Sequence, residues 1–191
     1  MENKDNVKNK GKKARQERLA KLVDANPMAT DQELASSLGV SVSTVRLDRA
    51  LMGVPELRER LRAMAQKAVS KLRSLRQNEV VGELLELEPD KWALSVLRTA
   101  RDMAFRLTDI VWDHYIYSQA SSIAVAAIEA AVVIVDSARG VYKGHAHVGD
   151  TLVARAKVGV GRDGRRVVSV RTRVDNKEIF VGRFIVEVVK D

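Results

Sequence analysis

The sequence predicts an α+β protein with a small helical domain and a larger domain in which one helix packs on an antiparallel sheet. In residues 1–78, apolar side chains recur at helical spacing. From residue 79 onward, short β-rich runs separated by turn residues flank a single helical segment rich in Ala and Ser. A chain of 191 residues is long enough to form a core in both domains.

The excess of positive charge lies in the N-terminal part of the chain. The net charge is +8, and residues 1–78 contain 17 Lys and Arg against 9 Asp and Glu, whereas residues 79–191 contain 16 of each. A basic domain joined to a neutral one indicates that the basic domain meets a polyanion, and nucleic acid is the favoured partner.

Composition also limits the cellular setting. The chain has no cysteine, which excludes disulfides, zinc-finger thiolates and thiol nucleophiles and suits a reducing cytoplasm. The most apolar stretch, residues 123–135, is interrupted by Glu129 and is shorter than the roughly 20 residues of a spanning helix. The basic N-terminus is not followed by the apolar core of a secretory signal. We therefore predict a cytoplasmic protein without a membrane partner.

Residues 14–54 are predicted to form a helix-turn-helix domain behind a flexible basic arm over residues 1–13. A first amphipathic helix covers about residues 14–24, and a capping box of Thr30 with Glu33 begins a second. Gly39 can take the left-handed conformation that ends this helix, and Ser41 can cap a third, from about Val42 to Leu51. A plain helical hairpin is the alternative, but it does not account for the basic flank and the polar third helix.

The third helix carries the candidate DNA contacts, because the exposed face near its N-terminus would enter the major groove. An arginine there can bind guanine with two hydrogen bonds; the alternatives for either arginine are a phosphate contact or a pair with Asp48. The candidates on this helix are Ser43, Thr44, Arg46 and Arg49, joined by two capping residues that can also donate to phosphate, Thr30 and Ser41.

Residues 55–78 predict an amphipathic linker helix that begins with Pro55. Its stripe of apolar residues must pack on a second copy of itself or on the following domain. The stripe consists of Leu57, Leu61, Met64, Ala68, Leu72 and Leu75.

Residues 79–191 predict a sheet around one helix. Two short apolar runs, 81–87 and 92–97, are consistent with strands, although helix remains an alternative there. A helix follows over residues 114–128, and its small residues would allow another part of the domain to pack very close to it. The remaining predicted strands are 131–142, 151–160, 166–174 and 178–189, with hairpin turns at Asp163-Gly164 and Asp175-Asn176.

Several segments resemble a known family. The run TDQELASSLGVSVSTVRLDRALMGVPELRERL, residues 30–61, is similar to the DeoR-like helix-turn-helix and connector of the FapR family, bacterial regulators of fatty-acid and phospholipid biosynthesis. The segment VRLDR followed closely by PELRERL is specific for it. Farther on, VVGELLELEPD, YSQASSIAVAAIE, LVARAKV and EIFVGRFIVEV resemble the effector domain of that family.

The resemblance implies a homodimeric repressor whose C-terminal half is a hot dog fold, a curved antiparallel sheet wrapped around one long helix. Members of the family bind palindromic operators in front of lipid-synthesis genes. They release the operators when malonyl-CoA or malonyl-acyl carrier protein binds. The resemblance also implies that the linker helix changes its docking between the DNA-bound and ligand-bound forms.

The ligand loop departs from the family pattern. In the family this loop reads approximately Ile-Ala-Arg-Gly-His-His, and its arginine neutralises the malonyl carboxylate. Here Trp112 and Asp113 stand at the Arg-Gly positions, and Ser121 stands where the family has an assisting asparagine. Burying a carboxylate without a cation costs several kcal/mol. These residues therefore predict a poor response to malonyl-CoA and a preference for an uncharged acyl group.

Three basic residues complete the predicted effector site. Arg139 and Lys143 are candidates for the nucleotide end of a coenzyme A thioester, and Arg106 is a candidate replacement for the missing arginine. We predict no cofactor and no metal. His145 and His147 alternate on a predicted strand, but no third ligand lies nearby in the sequence, so surface histidines are favoured over a metal site.

An enzyme is the rival class. Hot dog folds include acyl-CoA thioesterases that use a carboxylate beside the helix, and Asp113 falls close to where the thioester would lie. One aspartate without a supporting pattern is a weak signal, and a fold does not define a function. The sequence therefore predicts a regulator, and release of free CoA from acyl-CoAs would distinguish the two classes.

Overall fold

A computed structural model describes residues 2–189, with side chains described from residue 11 onward. The chain divides into two compact units, Met1–Ala63 and Met64–Asp191, called here the N-terminal and C-terminal units. Within residues 2–189, no helix is both long and apolar enough to cross a membrane. The helices and strands are α1 (Glu2–Ala25), α2 (Asp31–Leu38), α3 (Val42–Met52), α4 (Leu57–Val69), β1 (Glu83–Glu88), β2 (Trp92–Arg98), α5 (Asp113–Ala126), β3 (Val133–Tyr142), β4 (Thr151–Val158), β5 (Arg165–Val174) and β6 (Lys177–Val188).

The N-terminal unit contains the two short helices predicted from the sequence. Thr30 and Glu33 form the predicted capping box at the start of α2, and the Ser41 side chain accepts a hydrogen bond from the Thr44 amide at the start of α3. Gly39 ends α2 with φ of 66°, a left-handed conformation that favours glycine. The helices enclose a small core of Leu19, Val23, Ala29, Leu34, Ala35 and Val45.

The first and fourth helices differ in length from the predictions. Helix α1 begins at Glu2 instead of near residue 14, so most of the predicted flexible arm has helical backbone; Met1 lies outside the described residues. Five lysines in residues 2–13 have high helix propensity, although the three asparagines and Gly11 of the same stretch do not.

The predicted linker helix over residues 55–78 is too long. Helix α4 ends at Val69, and the amides of Lys71 and Leu72 donate to carbonyls only three residues earlier, which forms a tighter turn. Leu72 then packs in the core of the C-terminal unit, and the Ser74 hydroxyl donates to the carbonyl of Val125. After Val69, tertiary contacts therefore replace the helix that the apolar stripe predicted.

The C-terminal unit is a six-stranded antiparallel sheet in the order β1-β2-β4-β5-β6-β3, with α5 packed against one face. All six strands match the predicted segments to within a few residues. The two predicted hairpin turns are present between β4 and β5 and between β5 and β6. At each turn both central residues have positive φ, as a tight hairpin requires: Asp163 and Gly164, Asp175 and Asn176.

Small residues allow the sheet to approach α5 closely. Ala120 and Ala124 on α5 have no exposed surface, and neither do Phe180 and Phe184 on β6. Gly182 lies between these two phenylalanines, and a Cβ atom there would come within 2.5 Å of the Phe184 ring. A larger residue at this position would overpack the contact between helix and sheet.

Polar side chains are also buried in this contact. The Gln119 amide on α5 donates to the Ser95 hydroxyl at 3.2 Å and to the Leu152 carbonyl at 3.3 Å. Its Oε1 atom and the Thr172 hydroxyl have no hydrogen-bond partner among the described residues. These bonds link α5 to β2 and β4 and set the position of the helix along the sheet.

Candidate functional sites

One face of α3 is exposed and mixed in character. Ser43, Arg46 and Leu47 follow one another at helical spacing on this face. The Leu47 side chain is 61% exposed, although leucines elsewhere in this unit form its core. The face therefore offers a hydroxyl, a guanidinium and an apolar side chain to a partner.

The caps at the start of α2 and α3 lie at the surface. The Ser41 hydroxyl is 2.8 Å from the Ser43 hydroxyl and 2.9 Å from the Thr44 hydroxyl, so three predicted DNA contacts form one cluster. The Thr30 hydroxyl donates to Glu33 at 2.9 Å. The residues of the α3 cluster can rotate their hydroxyls toward an acceptor such as phosphate.

The two predicted base-reading arginines occupy different environments. Arg49 is 5% exposed, and its guanidinium donates to both carboxylate oxygens of Asp31 and to the carbonyl of Val54. The Arg46 side chain is 70% exposed and makes one longer bond of 3.3 Å to the same aspartate. The donors of Arg49 are therefore used inside the unit, whereas Arg46 lies mostly in solvent; the predicted DNA contacts of both arginines stay predictions.

Asp31 is charged at neutral pH in this arrangement. Partial burial acts to raise the pKa of Asp31, but hydrogen bonds and positive charge from Arg49 and Arg46 outweigh burial and hold the pKa below its ordinary value. The ion pair with Arg49 is largely buried, so loss of Asp31 would leave the Arg49 charge without an acidic partner, and loss of Arg49 would leave Asp31 with only the longer bond to Arg46.

Asp48 pairs with residues of α1 and not with an arginine of its own helix. Its carboxylate accepts from Arg15 at 2.6 Å and from the Gln16 amide at 3.1 Å, both on α1. The hydrogen bond from Arg15 is the main reason why the pKa of Asp48 lies below its ordinary value. The alternative that Arg46 or Arg49 pairs with Asp48 is therefore wrong, and the ion pair instead joins α3 to α1.

A buried arginine at the start of α4 was not predicted. The Arg60 guanidinium donates to three backbone carbonyls, those of Pro27, Ala29 and Pro55. It ties the first turns of α4 to the loop before α2. Its sequence context, an amphipathic helix rich in arginine, gave no sign that this arginine would be buried.

Aromatic side chains gather at the N-terminal end of α5. Trp112, which precedes the helix, stacks on Phe105 with ring centroids 4.7 Å apart and an angle of 14° between the planes. His114 meets the edge of Trp112 and also contacts Tyr115. Phe105 and Trp112 are 41% and 43% exposed, so the stack presents an apolar surface to its surroundings.

Tyr142 joins β3 to this end of α5. Its hydroxyl donates to the Asp113 carbonyl at 3.3 Å. Partial burial, together with the Asp113 carboxylate and Tyr117, raises the pKa of the Tyr142 phenol above its ordinary value. Trp112, Asp113 and Tyr142 therefore form one cluster, of which the sequence predicted the first two.

The predicted basic residues are dispersed. Arg139 pairs across β3 and β6 with Arg183, and side chains alternate along a strand, so Arg139 lies on the face opposite to Gly140, which faces Phe180 and the α5 side. Arg139 thus lies on the sheet face away from Trp112 and Asp113, and its predicted contact with the nucleotide end of a ligand stays a prediction. The Lys143 ammonium pairs with Glu178 at 2.5 Å. Arg106 is exposed, and the described residues record no hydrogen bond from its guanidinium.

Ser121 lies farther along the same helix. It is half-buried and eight residues after Asp113, which corresponds to about 12 Å of helix. The predicted effector residues on α5 thus mark a path along the helix, with the aromatic cluster at one end.

The edge strand β3 is uncovered on one side. It is bonded to β6 on the other side, and seven consecutive residues, 136–142, are exposed. Ala138, Gly140 and Tyr142 are among them, although they point to the face on which α5 packs. This edge and the adjoining part of the sheet face are therefore open in a single chain.

The fold of the C-terminal unit is that of hot dog proteins. It is similar to a sigma28-regulated virulence protein from Campylobacter jejuni, with a TM-score of 0.62, 19% identity, and coverage of 68% of this chain and 92% of that chain. A hypothetical thioesterase from Streptococcus pneumoniae, solved with coenzyme A, has a TM-score of 0.52 at 8% identity and covers 60% of this chain and 91% of that chain. The chain therefore belongs to the class of α+β proteins that join a helix-turn-helix unit to a hot dog unit.

Sequence relatives identify the family. The chain is 42% identical over 177 residues to a transcription factor FapR of Thermoanaerobacter sp. (strain X514), which covers 93% of this chain and 88% of the relative. It is 39% identical over 178 residues to that of Bacillus subtilis (strain 168), with 92% and 95% covered. No family model matches the chain. The chain belongs to the FapR family of transcription factors, which confirms the prediction of a regulator over that of an enzyme.

The different environments of Arg49 and Arg46 predict different contributions to the stability of the N-terminal unit. We expect Arg49→Ala to lower the free energy of unfolding of the N-terminal unit by about 3 kcal/mol, because the largely buried Asp31 would lose its two short bonds and keep only the longer one to the exposed Arg46. Arg46→Ala, the matched control, should change it by less than about 0.5 kcal/mol, because that side chain is exposed. Amide hydrogen exchange of α2 and α3 in the full chain measures both effects. Equal protection in the two variants would contradict the structural role of Arg49.

Proposed function

We propose that the protein represses genes of fatty-acid and phospholipid biosynthesis by binding palindromic operator DNA through α3. The observation that carries this proposal is the exposed face of α3 with Ser43 and Arg46, on a unit that has 13 Lys and Arg against 9 Asp and Glu over residues 1–63. A helix of this kind fits the major groove, and cationic residues around it bind phosphates.

Each exposed residue has a proposed role at the DNA. Arg46 binds a base edge and exchanges its long bond to Asp31 for two bonds to guanine, since its side chain is free to move. Ser43 and Thr44 bind base edges or phosphate from the first turn of α3. Thr30 and Ser41 remain caps and donate to phosphate from the helix starts. Arg49 is left out of this set.

We also propose that two chains form a dimer by pairing their β3 strands. An exposed edge of this length is a template for another strand, and a two-fold axis through the middle of β3 would continue the sheet. The second copy would also cover the exposed inner positions Ala138 and Gly140. A symmetric dimer presents two copies of α3, which matches a palindromic operator.

The proposed ligand is a thioester of coenzyme A or acyl carrier protein that binds beside α5. The aromatic cluster at Trp112 and Phe105 supports an uncharged acyl group, because its exposed surface is apolar. The Asp113 carboxylate would repel a negatively charged acyl end. Arg106 is exposed and forms no ion pair with Asp113 among the described residues. Ser121 on α5 and Tyr142 on β3 supply hydroxyls beside this helix, and Lys143 remains a candidate for the phosphates of coenzyme A.

Operator binding is tested with the full chain and a duplex that it enriches from a random library. We expect Arg46→Ala to weaken binding to this duplex roughly tenfold or more, because one base contact contributes about 1–3 kcal/mol. Arg162→Ala, which removes an equal charge at an exposed hairpin of the C-terminal unit, should have little effect. A gel shift at constant salt measures both, and unchanged affinity of the Arg46 variant would contradict the proposed base contact.

The dimer is tested by placing a charge at the middle of the β3 edge. We expect the unchanged chain to have twice the mass of one chain in light scattering at micromolar concentration. Ala138→Lys should shift it toward single chains, because the two lysines would meet near the two-fold axis. Val160→Lys is the control, at a hairpin residue that is 90% exposed. A dimer that tolerates Ala138→Lys would rule out this interface.

The ligand preference is tested on the complex of protein and operator. We expect octanoyl-CoA to release the DNA at lower concentration than malonyl-CoA does, because Trp112 and Asp113 stand where the family's loop has the arginine that neutralises the malonyl carboxylate. The double variant Trp112→Arg, Asp113→Gly should gain a response to malonyl-CoA. Trp112→Phe, which keeps an aromatic ring, should not. Release by low-micromolar malonyl-CoA from the unchanged protein would show that the proposed preference is wrong.

A further inference from the structure

The exposed face of α3 carries two leucines that do not contribute to folding. Leu47 is 61% exposed and Leu51 is 57% exposed, and neither packs against the core of the N-terminal unit. Other apolar residues of the same helix, Val42, Val45 and Met52, do pack there. A solvent-facing leucine gains nothing from burial in the free protein, so its side chain is available to a partner.

The position of Leu47 indicates which partner covers it. It lies one turn after Ser43 and next to Arg46, in the middle of the face proposed to enter the major groove. The surrounding unit, residues 1–63, has 13 Lys and Arg against 9 Asp and Glu, a positive net charge that attracts DNA. Base pairs present one apolar group at the floor of the major groove, the methyl group of thymine.

We propose that Leu47 contacts a thymine methyl group in the operator and determines specificity for thymine at one position of each half-site. This inference rests on the proposed binding of DNA through α3. The expected neighbour of that thymine is the base bound by Arg46, because the two residues are consecutive. Leu51 lies one turn farther along the helix, about 6 Å away along its axis, and is not assigned to this thymine.

The experiment replaces single thymines of the operator by deoxyuridine, which removes only the methyl group. The operator is the duplex that the full chain enriches from a random library. At one thymine per half-site, we expect the replacement to weaken binding of the unchanged protein about fourfold, the effect of burying one methyl group. In Leu47→Ala the same replacement should have no effect.

Leu51→Ala is the matched control, since it makes the same change at an equally exposed position of the same helix. It should keep the fourfold response to deoxyuridine. Alanine favours helix, so both variants should retain the helical circular dichroism of the unchanged chain. The control separates a specific contact of Leu47 from a general effect of shortening a side chain on α3.

Each other outcome overturns the inference. If no thymine responds, or if Leu47→Ala keeps the response, Leu47 does not contact a methyl group, although binding of DNA through α3 still stands. If the response is lost in Leu51→Ala, the contact belongs to Leu51 or to the shape of the helix. If the chain enriches no sequence at all, the proposed function fails and the inference fails with it.

Discussion

The C-terminal unit depends on the close approach of α5 to the sheet around it. This approach is possible because α5 presents alanines to the sheet and because Gly182 leaves room for the Phe184 ring. The contact covers most of the helix and one face of the sheet, but it leaves the N-terminal end of α5 and the edge of β3 open. The proposed ligand site and the proposed dimer interface lie at these two places because they are where apolar surface and unpaired backbone remain.

In the N-terminal unit, ion pairs decide which residues of α3 can meet a partner. The ion pair of Arg49 with Asp31 joins α3 to α2, and the ion pair of Asp48 with Arg15 joins α3 to α1. These side chains are therefore engaged inside the unit. A carboxylate that is largely buried requires such a match, since an unpaired charge there would cost several kcal/mol. Arg46 does not need an ion-pair partner, because its side chain is mostly exposed to water. The ion pairs that stabilise the unit therefore leave only a few charged and polar side chains of α3 free to contact a partner.

Local signals allowed much of the fold to be predicted. The capping box at Thr30, the glycine after α2 and the two hairpin turns each depend on a few neighbouring residues, and all four are present. The strands were recognisable because β-branched residues alternate between turn signals. The length of α4 was overestimated because an apolar stripe continues beyond Val69, where contacts with the C-terminal unit interrupt the helix. A periodic pattern does not reveal what its apolar residues pack against.

The sequence by itself determined the two-part organisation, the helix-turn-helix, the family resemblance and the departure at Trp112 and Asp113, since these follow from charge, spacing and residue identity. Only the tertiary structure separated Arg46 from Arg49, although they are three residues apart on one helix. It also placed Arg139 on the sheet face away from α5. Burial and pairing depend on residues distant in the chain, such as Asp31 for Arg49, and no local pattern encodes which of two similar side chains will find such a partner.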